Sequence, residues 1–345
     1  MAYTTINKGS DYFNTKLYTG DGTNPRAITG VGFQPDFVWN KPRSAANSHA
    51  LLDSVRGATK FLSSDVTDAE YTYGHSIQSF DSDGFTCGDN ASFNQNGTTY
   101  ASWNWKADGT ASSNTDGSIT SSVSTSTTSG FSIVSYTGTG SAATIGHGLS
   151  SAPAMIIVKR RSNTGEWIVY SSVLGSGNGL KLNTTGASFA ADATVWNSTN
   201  PTSSVFSIGS AVDLNASGNT HIAYCFAEKK GFSKFGSYTG NGSTDGAFVY
   251  TGFKPAWVVI KRSSAVSDWH ALDNKRAGFN GDNDYLKLNQ LDTEGTAGDR
   301  VDFLSNGFKL RHATGNLNES GNTFIYMAFA EHPFVSSSGT PTTAR

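Results

Sequence analysis

The feature that most constrains this chain is a sequence repeat that occurs three times along it. A Tyr-Thr-Gly-x-Gly segment begins at Tyr18 and recurs at Tyr136 and Tyr238. The same two spacings relate further positions, namely Pro35, Pro153 and Pro255; Lys41, Lys159 and Lys261; His49, Trp167 and Trp269; and Asp53, Ser171 and Asp273. Matches at several separate points with nearly constant spacing indicate three copies of one unit, each about 100 residues long.

Within each unit the sequence predicts short strands joined by turns. Apolar runs rich in β-branched and aromatic residues follow each of the three prolines and end at the lysines. Asp83-Gly84 and Asn306-Gly307 are dipeptides that favour tight turns because they tolerate positive φ. The best helix candidate, residues 49–56, is too short to define an architecture. We therefore predict an all-β chain of three tandem β-sandwich units that superpose, with less than about 15% helix.

The domain boundaries follow from the repeats. We place the units at roughly 12–107, 130–229 and 232–334. The corresponding domains are 1–107 with an N-terminal arm, a Ser/Thr-rich linker at 108–129, then 130–230, and 231–345 with a C-terminal tail. Because the linker has few apolar side chains, we expect it to be a flexible tether for the first unit. The second and third units have almost no linker and are expected to form a stiff pair.

The strands after the prolines are apolar at both alternating sets of positions, as in Phe37-Val38-Trp39. A strand that is buried on one face only would alternate with polar residues. Both faces should therefore be covered, by the opposite sheet and by a loop, another unit or another subunit. From these strands and the low surface charge we predict a symmetric homo-oligomer, with a trimer as the first expectation.

Composition excludes several function classes. Charged residues make up only 15% of the chain, the formal net charge is −2, and no run of Lys and Arg exceeds three residues. A nucleic-acid partner is therefore not expected. Membrane insertion is not expected either, since no apolar stretch approaches about 18 residues. The N-terminus lacks the pattern of a secretory signal, and Cys87 and Cys225 fall in different units, so we expect no disulfide framework and synthesis in a reducing cytosol.

No motif points clearly to catalysis. The Tyr-Thr-Gly-x-Gly segment lacks the tail of a phosphate-binding loop and is predicted to be a hairpin turn. The sequence contains no Gly-x-Ser-x-Gly, and its seven histidines lack metal-ligand spacing. We accordingly assign no catalytic, cofactor-binding or metal-binding residue, and the ligand-binding residues stay open.

Carboxylates are the remaining candidates, because a glycosidase needs only two of them a few ångströms apart. Asp53 and Asp273 are equivalent, but the second unit has Ser171 at this position. Other carboxylates crowd single loops, namely Asp65, Asp68 and Glu70 in the first unit and Asp282 and Asp284 in the third. Calcium is an alternative ligand for Asp81-Ser82-Asp83-Gly84 or Asp282-Asn283-Asp284, although neither has the full EF-hand spacing.

Three phrases carry a resemblance to a known family: the opening DYFNTKLYTGDG, the following ITGVGFQPDFVWNK and the closing TFIYMAFAEHPF. They resemble bacteriophage virion structural proteins of marine and cyanobacterial phages, and the resemblance covers essentially the whole chain. It implies jelly-roll sandwiches of the lectin-like, concanavalin A type and no enzymatic role. The second unit departs from the pattern, since Leu149-Ser150-Ser151 precedes its proline.

This resemblance implies a non-enzymatic virion protein that is made in the host bacterial cytoplasm. A tail fibre, tail appendage or adhesin would expose aromatics and carboxylates to host-surface glycans at loop tips. A capsid decoration protein would need interfaces with itself and other virion proteins, and a polysaccharide-degrading enzyme would need a carboxylate pair in a groove. We favour the tail protein, because lectin-like repeats suit contact with a host surface.

Overall fold

The computed structural model describes residues 3–276, 280–281, 283–296, 298–313 and 315–342. Strands account for 43% of the structure and helices for 4%, which confirms the all-β class and the low helix content. The helix expected at residues 49–56 is wrong, because Ala50–Asp53 is a strand buried along its whole length. Burial on both faces favours an extended strand here, since an isolated helix this short has no stability of its own.

The first repeat forms two main sheets. A short 3-10 helix at Gly9–Asp11 precedes its strands, which are β1 Phe13–Thr19, β2 Arg26–Thr29, β3 Phe37–Pro42, β4 Ala50–Asp53, β5 Lys60–Phe61, β6 Tyr71–Thr72, β7 Ile77–Asp81, β8 Gly84–Cys87 and β9 Thr99–Trp105. One sheet has the order β1-β9-β3-β4 and the second has the order β2-β8-β7. Strands β5 and β6 form a separate small hairpin.

The second repeat contains two short helices. Its elements, with the two strands that precede it, are β10 Ser112–Asn114, β11 Ser121–Ser126, β12 Phe131–Thr137, β13 Ala143–Gly146, β14 Met155–Arg160, β15 Trp167–Ser171, β16 Asn178–Lys181, β17 Phe189–Ala190, α1 Ala193–Trp196, β18 Val205–Ile208, α2 Val212–Asn215 and β19 Thr220–Phe226. The large sheet has the order β10-β11-β12-β19-β14-β15-β16-β17, and β13 pairs with β18.

The third repeat follows the same plan. Its elements are β20 Ser233–Thr239, β21 Phe248–Tyr250, β22 Phe253–Arg262, β23 Trp269–Asp273, β24 Leu286–Lys287, β25 Val301–Leu304, β26 Gly307–Leu310, α3 Gly315–Asn318 and β27 Thr323–Pro333. The sheet orders are β20-β27-β22-β23-β24 and β21-β26-β25. All three repeats therefore pair their first strand with their last, and pair the last strand with the apolar strand that follows the proline in the first two repeats and contains it in the third.

The segment that was expected to be a flexible linker is part of a sheet. Residues 112–114 and 121–126 are β10 and β11, and β11 pairs with β12 from Ser122 to Ser126. Ile119 and Val123 are buried in the core of the second repeat. A segment rich in small polar residues can form an outer strand when its backbone groups are hydrogen-bonded to a neighbouring strand. The Ser/Thr-rich composition alone therefore wrongly suggested a flexible segment. The expectation of a loose tether is wrong for this segment.

The strands with two apolar faces separate two cores. On β3, Val38 packs into the core of the first repeat, whereas Phe37 and Trp39 point into a larger core that all three repeats share. On β14 the same division places Ile156 in the core of the second repeat and Ile157 in the shared core. The second apolar face is thus covered within the chain, by the other two repeats.

Three aromatic rings from the last strands meet at the centre of this shared core. Trp105, Phe226 and Phe329 occupy equivalent positions on β9, β19 and β27, and their ring centroids lie 5.7–6.3 Å apart in all three pairs. Each such aromatic contact contributes about 0.5–1.5 kcal/mol beyond the burial of area. The repeats therefore pack around a common centre, like the subunits of a trimer joined into one chain.

Candidate functional site

The Tyr-Thr-Gly-x-Gly segment is a structural turn in every repeat. A Cβ on Gly20 would lie 2.1 Å from the carbonyl oxygen of Gln95, and at the equivalent Gly138 and Gly240 the nearest carbonyl oxygen would lie at 2.4 and 2.3 Å. The second glycine, Gly22 in the first repeat, has a φ of +72°. The turn predicted from the sequence is present, but it joins strands of two different sheets and is not a β-hairpin.

A buried asparagine holds this turn in each repeat. In the first repeat, Asn94 Oδ1 accepts a hydrogen bond from the Asp21 backbone N–H at 3.0 Å, and its Nδ2 donates to the Thr23 carbonyl at 2.8 Å. Asn215 and Asn318 make the equivalent contacts in the other repeats. Sequence reasoning missed these residues, although an Asn-x-x-Gly pattern recurs before each last strand.

The boundaries between repeats, which we call seams, are built in cyclic order. The buried lysine of each repeat donates to a backbone carbonyl in the preceding repeat. Lys159 bonds Thr67 at 2.9 Å, Lys261 bonds Thr185 at 3.0 Å, and Lys41 bonds Leu291 at 3.2 Å, which closes the cycle from the first repeat to the third. Burial lowers the pKa of each of these lysines to about 8.

The aligned aromatic position follows the same cycle. Trp167 Nε1 donates to the Ser63 carbonyl at 2.8 Å, and Trp269 Nε1 donates to the Lys181 carbonyl at 3.1 Å. In the first repeat His49 lies at this position, with Nε2 2.9 Å from the Lys287 carbonyl oxygen. Burial and the neighbouring lysine charge hold the pKa of His49 well below its ordinary value, so the imidazole is neutral.

The seam between the first and second repeats contains a buried ionic network. Arg56 Nε lies 2.5 Å from Asp53 Oδ2, and its Nη1 lies 3.1 Å from Glu70 Oε2. Arg161 of the second repeat donates to both Glu70 oxygens at 2.9 Å. Tyr224 of the second repeat donates its hydroxyl to Asp53 at 2.8 Å. Burial alone would raise the pKa of Glu70, but the two guanidinium groups outweigh it and lower that pKa.

The seam between the third and first repeats has the same network. Arg276 Nε lies 2.7 Å from Asp273 Oδ2, and its Nη1 lies 3.1 Å from Glu294 Oε1. Arg43 of the first repeat bonds both Glu294 oxygens, at 2.7 Å for the shorter contact. Trp103 Nε1 takes the place of the tyrosine hydroxyl and donates to Asp273 at 3.1 Å. We call these two boundaries the ionic seams.

The third boundary, between the second and third repeats, is neutral at every equivalent position. Ser171 and Leu174 replace the buried Asp–Arg pair, and Ser188 and Ser263 replace the Glu–Arg pair. Met327 stands at the position of Tyr224 and Trp103. The backbone contact is nevertheless kept, because the Ser188 N–H donates to the Ser263 carbonyl at 2.8 Å, as Glu70 and Glu294 do to their partners.

These contacts decide what the candidate carboxylates can do. Asp53 and Asp273 lie in different seams, each side chain fully buried against an arginine. They are not the open pair that a glycosidase needs. A carboxylate without access to solvent or to a groove acts here as a structural partner of the arginine.

The other carboxylates are placed as follows. Asp65 accepts a hydrogen bond from the His49 backbone N–H, and burial raises its pKa. Asp83 accepts from the N–H groups of Gly30 and Gly32, which lower its pKa, so this proposed calcium segment already has hydrogen-bond donors at one carboxylate. Asp282 lies outside the described residues. Asp284 is largely buried beside Glu294, and burial raises its pKa.

An exposed aromatic ladder lies on the first repeat, and sequence reasoning missed it. Tyr71 stacks on the buried Phe61 at 5.0 Å, Tyr73 follows Tyr71 at 6.3 Å, and His75 follows Tyr73 at 5.5 Å. Tyr71 is 48% exposed and Tyr73 is 37% exposed. Burial together with the neighbouring Tyr73 and Asp68 raises the pKa of Tyr71.

Beside the ladder is a cavity of about 210 Å³. Polar groups and one exposed carboxylate share its lining with Tyr71; they include Asn47, Ser48, Asp68, Asn90 and Ser92. Within the described ranges no three His, Cys, Asp or Glu side chains are grouped to hold a metal ion. No helix found in the same ranges is long and apolar enough to span a membrane.

Comparison with known proteins identifies a family. Residues 8–333 match DUF7483, a family described as a domain of unknown function. The chain belongs to DUF7483. Neither the curated proteins nor the solved structures contain a match.

The extent of the match agrees with the packing. One DUF7483 domain spans all three repeats and the segment between the first and second. The shared core and the cyclic seams likewise join the repeats into one body. We therefore treat the three repeats together as the structural unit of DUF7483 in this chain.

Proposed function

We propose that this protein is a non-enzymatic structural component of a bacteriophage particle, a tail fibre, tail appendage or adhesin that contacts the host surface. It would be made in the host bacterial cytoplasm and assembled into the virion with other virion proteins. The resemblance of the opening and closing phrases supports the assignment to phage. The finer fold assignment, three lectin-like jelly-roll sandwiches, is part of this proposal and is compatible with the paired sheets of each repeat.

The observation that carries the non-enzymatic assignment is the fate of the repeated carboxylates. Asp53 and Asp273 occupy equivalent positions in the first and third repeats, and each of them forms an ion pair with an arginine inside a seam. The exposed groups instead include an aromatic ladder with a polar cavity at its side. A rigid body that presents aromatic rings at its surface suits contact with another molecule.

Homo-oligomerisation, with a trimer first, is also part of the proposal. The apolar strand faces that suggested it are covered within the chain, so a different surface would be required. Phe248 and Tyr250 project from β21, the outer strand of its sheet, and are 47% and 55% exposed. An outer strand with exposed aromatics is a surface on which copies of a chain can pair.

The test is to locate the chain in purified particles by mass spectrometry and a virion reconstruction. We expect its density in the tail or at the tail tip. Density on the capsid shell would favour the alternative, a decoration protein. Absence of the chain from purified particles would contradict the proposal.

The enzymatic alternative has its own test. Purified protein is incubated with host-surface polysaccharide, and released reducing ends are measured. We expect binding without turnover. Turnover that is abolished by Asp53→Asn or Asp273→Asn in a folded variant would establish a polysaccharide-degrading enzyme instead.

A further inference from the structure

We propose that the cavity beside the aromatic ladder binds a neutral saccharide, with Tyr71 and Tyr73 as the platform for the sugar ring. Tyr71 lines the cavity together with the polar groups Asn47, Asp68 and Asn90. Tyr73 lies outside the lining, with its ring centroid 6.3 Å from that of Tyr71, and extends the aromatic surface from the edge of the cavity. This inference rests on the proposed function, since it names the ligand class of a host-contacting protein.

The platform is supported by contacts within the protein. Tyr71 is paired with Phe61 across the β5–β6 hairpin, and its ring stacks on the buried Phe61 ring with an interplanar angle of 27°. One face of the tyrosine is thus held by the protein, while about half of the side chain stays exposed. A fixed aromatic surface costs little conformational entropy on binding, and its apolar face suits the C–H face of a pyranose.

The polar lining suits hydroxyl groups. Asn90 Oδ1 accepts from the Ser92 backbone N–H at 2.6 Å, and Asn47 Oδ1 accepts from the Ser48 N–H at 2.8 Å. In both side chains the amide oxygen is thus engaged, and the remaining polar group, the amide nitrogen, is a hydrogen-bond donor. Asp68, which is exposed, adds acceptors for hydroxyl protons. A few oriented polar groups at the side of an apolar surface are what gives a small-molecule site its specificity.

The charges favour a neutral ligand over an acidic one. Glu70 follows closely in sequence, but Arg56 and Arg161 neutralise it within the ionic seam. Asp68 is therefore the one charged residue that lines the cavity. A uronic or sialic acid would bring a second carboxylate close to it, which is unfavourable.

The other two repeats lack this platform. The pair that corresponds to Phe61 and Tyr71 is Gly179 with Phe189 in the second repeat and Tyr285 with Gly295 in the third. Each of them keeps one ring and replaces the other with glycine, so a stacked pair does not form. The structure thus predicts one saccharide site per chain, on the first repeat.

The experiment uses the full chain on an array of immobilised neutral hexose, N-acetylhexosamine and uronic acid oligosaccharides. We expect binding to neutral glycans, at least a tenfold loss with Tyr71→Ala or Tyr73→Ala, and retained binding with Tyr71→Phe, which keeps the ring. Phe189→Ala, at the position of the second repeat that corresponds to Tyr71, is the matched control and should bind as the wild type does. Thermal unfolding of each variant checks that it is folded.

The outcomes separate the site from the function. Binding that persists in folded Tyr71→Ala and Tyr73→Ala variants, binding to uronic acids alone, or no binding to any glycan would each overturn the site. If the chain is nevertheless found at the tail of the particle, the proposed function is retained whichever of these three binding results is obtained. Absence from the particle, together with neutral-glycan binding that needs Tyr71, would contradict the function and retain the site.

Discussion

The ionic seams and the neutral seam join equivalent surfaces with different chemistry. All three keep the lysine-to-carbonyl bond, the aromatic or histidine contact and the backbone bond at positions 70, 188 and 294. Only two contain the Asp–Arg–Glu–Arg network. Because the backbone and core contacts occur in all three seams, they determine how the repeats pack together. The ionic network is one of two sets of side chains that fill the space between repeats.

Energetics explain why both fillings are stable. Desolvation of a buried ion pair roughly cancels its Coulomb attraction, so a neutral set of suitable volume serves equally well. Removal of one partner is different, because it leaves a buried charge without compensation. The residues of one network should therefore be replaced together. This is the case between the two kinds of seam: where Asp53 becomes Ser171, Tyr224 also becomes Met327.

The largest effect is expected when one ionic network is broken. Arg56→Met leaves Asp53 and Glu70 buried without their shared guanidinium, and we expect a loss of about 3–5 kcal/mol in the free energy of unfolding. Leu174→Met at the equivalent position of the neutral seam should cost less than about 1.5 kcal/mol. Denaturant unfolding of both variants measures the difference, and equal losses would show that the ionic network has no special role.

A second effect comes from the buried lysines and should be shared by all seams. Each has a pKa of about 8 in the folded protein against an ordinary value of 10.5, so the unfolded chain binds more protons between these values. Each lysine therefore makes the free energy of unfolding rise as the pH increases from about 8 to 10.5, by up to about 1 kcal/mol per pH unit. The three lysines together produce this slope of stability against pH. Lys159→Met should remove about one third of it, and Lys261→Met at the neutral seam should remove the same fraction.

A smaller effect is confined to the ionic seam. The pKa of Glu70 is below its ordinary value of 4.5, so its stabilisation is present above that pH and is lost as the pH falls through the lowered pKa. Glu70→Gln should cost about 1–2 kcal/mol in the free energy of unfolding at pH 7, and this cost should disappear as the pH falls through the lowered pKa of Glu70. Ser188→Ala at the neutral seam should leave the acid dependence unchanged, and a changed dependence there would contradict the comparison.

The smallest effect is expected from a complete exchange. The neutral set is transplanted into the first ionic seam by combining Asp53→Ser, Arg56→Leu, Glu70→Ser, Arg161→Ser and Tyr224→Met. We expect stability within about 1.5 kcal/mol of the wild type, far better than Arg56→Met alone. A combined loss equal to the sum of the single losses would show that the neutral seam depends on other differences.

The sequence predicted the repeats, the all-β class and the strands after the prolines, because apolar periodicity and turn residues report local structure directly. The buried state of Lys41 and its equivalents was not predicted, since nothing local shows that a lysine reaches a carbonyl in another repeat. Val123 and Ile119 show why the linker was misjudged. A few apolar residues among serines and threonines suffice for an outer strand once a neighbouring edge is present.

The candidate site was predicted only in part. Asp53, Ser171 and Asp273 were aligned correctly, but their partners are contributed by other repeats, and a single sequence does not show which repeat follows which in space. Arg56 and Arg276 share the spacing of the aspartates and could have been paired with them. Tyr71 and Tyr73 gave no signal, because exposure is decided by packing and not by residue type.

Calorimetric unfolding of the whole chain is the most direct test of whether the three repeats form one body. The shared core and closed cycle of seams predict a single transition whose van't Hoff enthalpy equals the calorimetric enthalpy. Two or more separate transitions, or a first repeat that melts while the rest stays folded, would contradict it.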